Sequence, residues 1–327
     1  MAEFSFSQKD IRFKLVLLIP LFGMMFLVFF NICFPACYSP GMQNQMTDAD
    51  TLLEYKRSYP NLIDFANNYS TPLPENDDIK IISRAEWKAP SDYSRADYYA
   101  SYCASHEDQC LEENQNDFES DLTYLKLKDN YEKNFQLMDD GLVKTRIIND
   151  NEYEYMPVNQ IVIHHTAHIS EKTYAGSLEE LNRIYYAHAI LNGWHDIGYN
   201  YLIDYDGNIF EGRGGGKYVV GSHTGYHNRG TIGIALMADL TKESMSPKME
   251  ESLIKLVKYL SQEYYLDLTK PDLLPSPDNS TLIWDTKIIK GHMELDARGG
   301  KTQCPGIDPN TLRNMIYTGL GISQPTL

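Results

Sequence analysis

Two histidines stand at the end of an apolar, β-branched run, IVIHHTA at Ile161 to Ala167. Successive side chains on a strand point to opposite faces, so His164 and His165 cannot both enter one site. One is a candidate ligand or general base and the other is structural. A histidine pair at a strand end is more often a packing feature than a metal site, so its meaning rests on distant partners. The C-terminal stretch KGHMELDARGGKTQCPG supplies them as His292 and Cys304. Imidazole and thiolate are the ligands zinc prefers, and His164, His292 and Cys304 together would give three of them. Three protein ligands leave a fourth position for water, the arrangement of catalytic zinc and not of structural zinc.

These residues need a scaffold that brings both ends of the chain together. Ile161, Val162 and Ile163 read as a strand buried on both faces. Ser177 and Glu180 form a capping box for a helix whose apolar face holds Leu178, Leu181, Ile184 and Tyr185, with Gly193 placed to end it. Tyr199, Tyr201 and Ile203 then alternate, and Asp206-Gly207 is a hairpin signal before Ile209 and Phe210. Thr231 to Met237 is a second buried strand. Ser246 and Pro247 cap a long helix with Met249, Leu253, Leu256, Leu260 and Tyr264 on one side. A loop with Pro271, Pro275 and Pro277 leads to a strand at Thr286 to Ile289 and so to His292; a last helix begins near Asp308. Strands alternating with helices predict an α/β fold, a central mixed β-sheet flanked by helices. Ile79 to Ile82 is its entry strand, and the tyrosine-rich, acidic stretch Ala89 to Tyr155 is an insertion on its edge.

The chain has 327 residues, 43% of them hydrophobic, enough for a sizeable core. Its formal charge of −16 argues against a nucleic-acid partner, which needs a basic surface. Between Asp97 and Tyr155 there are 15 acidic and 5 basic residues, a net of −10, so most of the acidity belongs to the insertion. Phe13 to Phe34 is apolar enough to cross a bilayer, and Lys9, Arg12 and Lys14 near its start place the residues beyond about 38 outside the cytoplasm. The predicted organisation is a cytoplasmic tail (1–12), a transmembrane signal anchor (13–36), an extracytoplasmic linker (37–78) and a domain (79–320) carrying the insertion (about 89–155). A cleaved signal peptide with secretion is the alternative; the approach to Cys37 is a poor acylation context. Of five cysteines, Cys33 and Cys37 sit at the membrane edge and Cys103 and Cys110 are close enough in sequence for a local disulfide. Cys304 is the odd one, which flags metal binding or reactivity in an exported domain.

Six ordered runs, SRAEW, VIHHTA, GWHDIGYNYLIDYDGNIFEGRG, SHTGYHN, TIGIALM and GH followed by CPG, resemble the peptidoglycan recognition protein and type 2 amidase family. The resemblance covers about Ile79 to Tyr317, broken by the insertion. It implies zinc-dependent hydrolysis of the amide between N-acetylmuramic acid and L-alanine of peptidoglycan. It makes His164 the ligand beside His292 and Cys304, with His165 turned away to support the strand. Tyr199 falls on the family's catalytic tyrosine and Thr302 where members carry Thr or Lys, with Lys301 as the adjacent candidate. Some relatives carry glutamate in a strand reading IGIE; here that position is Ala235, which points to the tyrosine-dependent branch. Arg213, His223 and Thr224 match positions lining the glycan-peptide cleft, and His188 is a further groove candidate. The other reading of Arg213 is a bridge to Asp204 or Asp206, and that of His188 a helix-face histidine against the core. The competing function is a recognition protein that binds peptidoglycan without cutting it; such members typically replace the cysteine that Cys304 retains.

Overall fold

The structure is a computed structural model that describes residues 64–65, 67–90, 144–148, 151–169, 171–275, 282–295 and 301–326. The N-terminal apolar run, Cys103, Cys110 and most of the acidic insertion lie outside the described residues. No described helix is long and apolar enough to cross a membrane.

In chain order the strands and α-helices are β1 (Ile81–Ile82), β2 (Lys144–Ile148), β3 (Asn151–Tyr155), β4 (Gln160–His165), α1 (Tyr174–Tyr185, continued by a π-helical turn Tyr186–Leu191), β5 (Tyr201–Ile203), β6 (Ile209–Glu211), β7 (Thr231–Leu236), α2 (Pro247–Glu263), β8 (Asp272–Pro275), β9 (Leu282–Asp285), β10 (Ile289–Gly291) and α3 (Pro309–Leu320). Six strands form one sheet in the order β1-β6-β5-β7-β4-β10. All neighbours are parallel except β5 and β6, which make it a mixed sheet. Alternation along the strands divides the core in two. Ile161, Ile163, Ile232, Ile234 and Leu236 pack with Leu253, Leu256 and Leu260 of α2 and Leu312 and Ile316 of α3. Leu202, Phe210 and Ala235 pack on the opposite side with Leu181, Ile184 and Tyr185 of α1. The predicted sheet flanked by helices is therefore present.

Local signals account for much of this. Ser246 accepts from Met249 N (3.0 Å) to cap α2 and Asp308 accepts from Thr311 N (2.9 Å) to cap α3. Gly207, at φ 82°, turns the β5–β6 hairpin. Two boundaries differ from expectation. Helix α1 starts at Tyr174, because Thr173 takes the cap by accepting from Gly176 N, while Ser177 is already helical and donates to Asp204. Strand β10 starts at Ile289 and not Thr286, because the Asp285 carboxylate caps Lys287 N (2.9 Å) and turns the chain there. The end of the predicted insertion is also core: Tyr153 and Tyr155 are buried, and Tyr155 bridges to Val219.

Candidate metal centre

Register brings the two ligand-bearing strand ends together. β10 runs parallel to β4 with Gly291 opposite Ile163, so His292 emerges beside His164. His164 shares its face with Val162, while His165 lies on the Ile163 side, where its Nδ1 accepts from Leu240 N (3.2 Å). Cys304 arrives on a loop held against β10: Met293 N donates to the Cys304 carbonyl (2.7 Å). A Cβ on Gly291 would lie 2.8 Å from Pro305 Cδ, so only glycine lets this loop pack so closely.

The donor atoms of His164, His292 and Cys304 all lie within 4.8 Å of one another. His164 Nδ1 is 3.6 Å from Cys304 Sγ. A tetrahedron with zinc bonds of about 2.05 Å to nitrogen and 2.3 Å to sulfur has an N to S edge of about 3.6 Å. His165 N donates to the sulfur (3.4 Å), a contact that favours thiolate over thiol. Burial first, then the neighbouring His292 and His223, hold His164 well below the ordinary histidine pKa, so its imidazole is neutral as a ligand must be. These residues fit zinc in donor chemistry and charge, and the His164 and Cys304 pair fits it in distance.

The turn carrying His292 is clamped from α3. Arg313, 3% exposed, donates to Ile289 O (3.2 Å) and Glu294, and Glu294 accepts from Gly291 N (3.0 Å). Lys290, one residue before Gly291, is buried and paired with Asp285 at 2.9 Å.

Tyr199 is half-buried, its ring 5.2 Å from the His164 ring. Its loop is pinned by Asn200, which accepts from Gly233 N (2.9 Å) and donates to Val219 O (3.0 Å). Asp196, part of the GWHDIGYN run but given no role from sequence, organises the same loop, accepting from Tyr153 OH (2.9 Å) and Gly214 N (2.8 Å) and pairing with Arg84. Burial, then the charge of Cys304, push the Tyr199 phenol well above its ordinary value, so it is an O–H donor at neutral pH. Thr302 Oγ1 accepts from Cys304 N (3.2 Å), while Lys301 is exposed. Ala235 pairs with His164 on one side and Leu202 on the other, so a carboxylate at that position would stand next to the ligand.

Arg213 and His223 are both engaged by the protein's own groups. Arg213 is 8% exposed and donates to the carbonyls of Ile197 (3.2 Å) and Trp194 (3.4 Å), bracing the loop before Tyr199. It bridges neither Asp204, which holds Ser177 and Asn208, nor Asp206, which pairs with Lys248. His223, 7% exposed, lies behind His164 with its Nδ1 2.9 Å from His164 Nε2. His188 accepts from Gly198 N (3.0 Å) at Nδ1 and packs tilted against Trp194 and edge-on against Tyr199. Burial lowers the pKa of both His188 and His223 to about 3. Thr224 is buried with an unpartnered Oγ1, its backbone held by Asn228.

Residues 154–307 match the N-acetylmuramoyl-L-alanine amidase family. A peptidoglycan-recognition protein SC2 of Drosophila melanogaster is 32% identical over 145 residues, 44% of this chain and 66% of that protein. The matched segment and its relatives support a peptidoglycan recognition protein and type 2 amidase family. An N-acetylmuramoyl-L-alanine amidase of Sus scrofa is 28% identical over 168 residues, 50% of this chain and 23% of that one. The chain thus spans between 23% and 66% of the length of these curated relatives. Among solved structures, the amidase LysC from Clostridium intestinale URNW aligns at 27% identity over 51% of this chain and 87% of its own, with a TM-score of 0.37.

Proposed function

We propose that this chain is a zinc-dependent N-acetylmuramoyl-L-alanine amidase, hydrolysing the amide that joins N-acetylmuramic acid to L-alanine in peptidoglycan. The observation that carries the reading is the convergence of His164, His292 and Cys304 within 4.8 Å at the strand ends. Retention of the cysteine favours cutting over binding alone.

Zinc held by these three residues would supply a Lewis acid that polarises the amide carbonyl and acidifies water. The protein's own groups do the rest. Tyr199, kept protonated, donates to the carbonyl oxygen as charge develops there. The Thr302 hydroxyl, with Lys301 as the adjacent alternative, adds a second donor to the tetrahedral oxyanion. Water adds to the carbonyl carbon, the C–N bond breaks, and a proton passes to the departing alanyl amine, leaving a lactyl carboxylate and a free peptide N-terminus. His188, behind Tyr199, orients that ring.

Peptidoglycan lies outside the cytoplasm, which agrees with reading Phe13 to Phe34 as a single-pass anchor and the domain as extracytoplasmic. Protease accessibility in intact cells tests that topology: protection of the domain would reject it. For the activity, zinc content and muropeptide cleavage are measured on the full chain in detergent, wild type against Cys304→Ser. Stoichiometric zinc and release of peptide, both lost in the variant, are expected. Zinc without turnover would leave a zinc-bearing recognition protein, and full zinc in Cys304→Ser would reject the ligand set.

A further inference from the structure

Three hydrogen bonds in series connect the backbone to His164, and each sets the direction of the next. Thr231 Oγ1 donates to the carbonyls of His227 (2.9 Å) and Asn228 (2.8 Å). A hydroxyl has one proton, and here it is committed to those carbonyls. Toward His223 Nε2, 3.3 Å away, the threonine oxygen therefore accepts, and Nε2 carries the proton. A neutral imidazole protonated at Nε2 is an acceptor at Nδ1. His223 Nδ1 lies 2.9 Å from His164 Nε2, which must then be the donor. His164 is left with its lone pair on Nδ1, the atom 3.6 Å from Cys304 Sγ.

The His223 ring is fixed by its surroundings. A Cβ on Gly233 of β7 would lie 2.5 Å from His223 Cγ, and one on Gly221 would lie 2.5 Å from His223 Cδ2. The ring thus lies against backbone in a slot that two glycines open. Asn228 Oδ1 accepts from the backbone N of His223 (2.7 Å) and of Thr224 (2.8 Å), fixing the approach of the chain.

We infer that His223 is a positioning residue: backed by Thr231, it holds His164 in the tautomer whose Nδ1 is open to a metal, and it takes no direct part in gripping the glycan. This rests on the reading of His164 as a zinc ligand. The partner that orients a ligating imidazole typically contributes roughly 10- to 100-fold in metal affinity. His223→Phe keeps a flat ring in the slot and removes the acceptor. His223→Asn places an amide oxygen near the position of Nδ1 and restores it.

The experiment combines two readouts on the full chain. In metal-free wild type, nitrogen-15 histidine spectra should show His164 and His223 both protonated at Nε2; His164 protonated at Nδ1 would overturn the inference. Zinc affinity, by competition with a chromophoric chelator, should fall roughly 10- to 100-fold in His223→Phe and recover most of that in His223→Asn. Equal affinity in wild type and His223→Phe would overturn the inference while leaving the amidase reading intact. An asparagine variant as weak as the phenylalanine one would show the ring acts by packing alone and would overturn it too. Failure of the wild type to take up zinc overturns the amidase reading and, with it, any metal-directed role for His223.

Discussion

Lys290 is the most consequential charge outside the metal centre, because it sits on the strand that delivers His292. Its side chain is 2% exposed and its ammonium lies 2.9 Å from the Asp285 carboxylate, itself 14% exposed. Burial alone would raise the Asp285 pKa, but the hydrogen bond and charge of Lys290, with Lys287 adding to them, bring it below the usual carboxylate range. Asp285→Asn leaves the ammonium buried without its counter-charge. Breaking a buried pair from one side costs about 3–5 kcal/mol, a large share of a stability of about 5–15 kcal/mol. With a urea slope of about 2–3 kcal/mol per M, the unfolding midpoint at pH 7 should drop by roughly 1.5 M. The double variant Asp285→Asn with Lys290→Met removes both charges and keeps the apolar stem, so it should regain more than half of that loss. The pH dependence has a definite sign. A carboxyl whose folded pKa is depressed contributes stability that is present above its unfolded value of about 3.9 and is lost as pH falls through the folded value. The gap between wild type and Asp285→Asn should therefore be constant from pH 7 to about 5 and shrink below about pH 4. Urea titrations at several pH values measure all of this. A midpoint shift under about 0.4 M, or a double variant no better than Asp285→Asn, would refute the argument that this pair secures β10.

Three further outcomes separate chemistry from scaffolding. Tyr199→Phe should retain zinc and KM while kcat falls roughly 100- to 1000-fold, since only the donor to the developing oxyanion is removed; unchanged kcat in steady-state muropeptide hydrolysis would exclude the role. Arg213→Ala should lower thermal stability by about 2–3 kcal/mol with little change in KM, because the guanidinium holds the carbonyls of Trp194 and Ile197; a pure KM effect would restore it to the groove. Thr224→Val should show no such loss. It replaces a buried, unpartnered hydroxyl with an isostere, so stability by urea titration stays level or rises by about 1 kcal/mol; a clear loss would show that the hydroxyl is bonded.

What could be read from the sequence was whatever a residue type or a short spacing encodes. Asp206-Gly207 turns a hairpin and Ser246 and Asp308 cap helices because those functions need nothing beyond the next few residues. His164, His292 and Cys304 were visible as metal-ligand types, and period-two alternation already put His165 on the other face. What escaped depends on long-range direction. EGRG gives no sign that Arg213 turns inward to carbonyls, and SHT none that His223 hydrogen-bonds His164. Tyr153 and Tyr155 looked like the end of an acidic insertion because composition averages over the stretch, whereas their burial is decided by Asp196 and Val219 far along the chain. The start of α1 moved because two cap-competent residues compete, and Thr173 wins the cap while Ser177 Oγ is drawn to Asp204.

The three ligand-bearing segments are each braced by a different device. β4 is held by its parallel neighbours, β10 by Lys290 with Asp285 and by Arg313 with Glu294, and the Cys304 loop by Pro305 against Gly291 and by Met293 N. None of these devices involves the donor atoms themselves. Two apolar clusters on opposite faces of the sheet supply a core that does not run through the site. In a structural zinc module the metal supplies the folding energy that the chain lacks. Here the order is reversed: packing and ion pairs hold His164, His292 and Cys304 close together on their own, so zinc binding energy would not be consumed in folding the domain. That is what a three-ligand catalytic centre requires, because the remaining coordination position must stay open to water and substrate instead of being closed to hold the protein together.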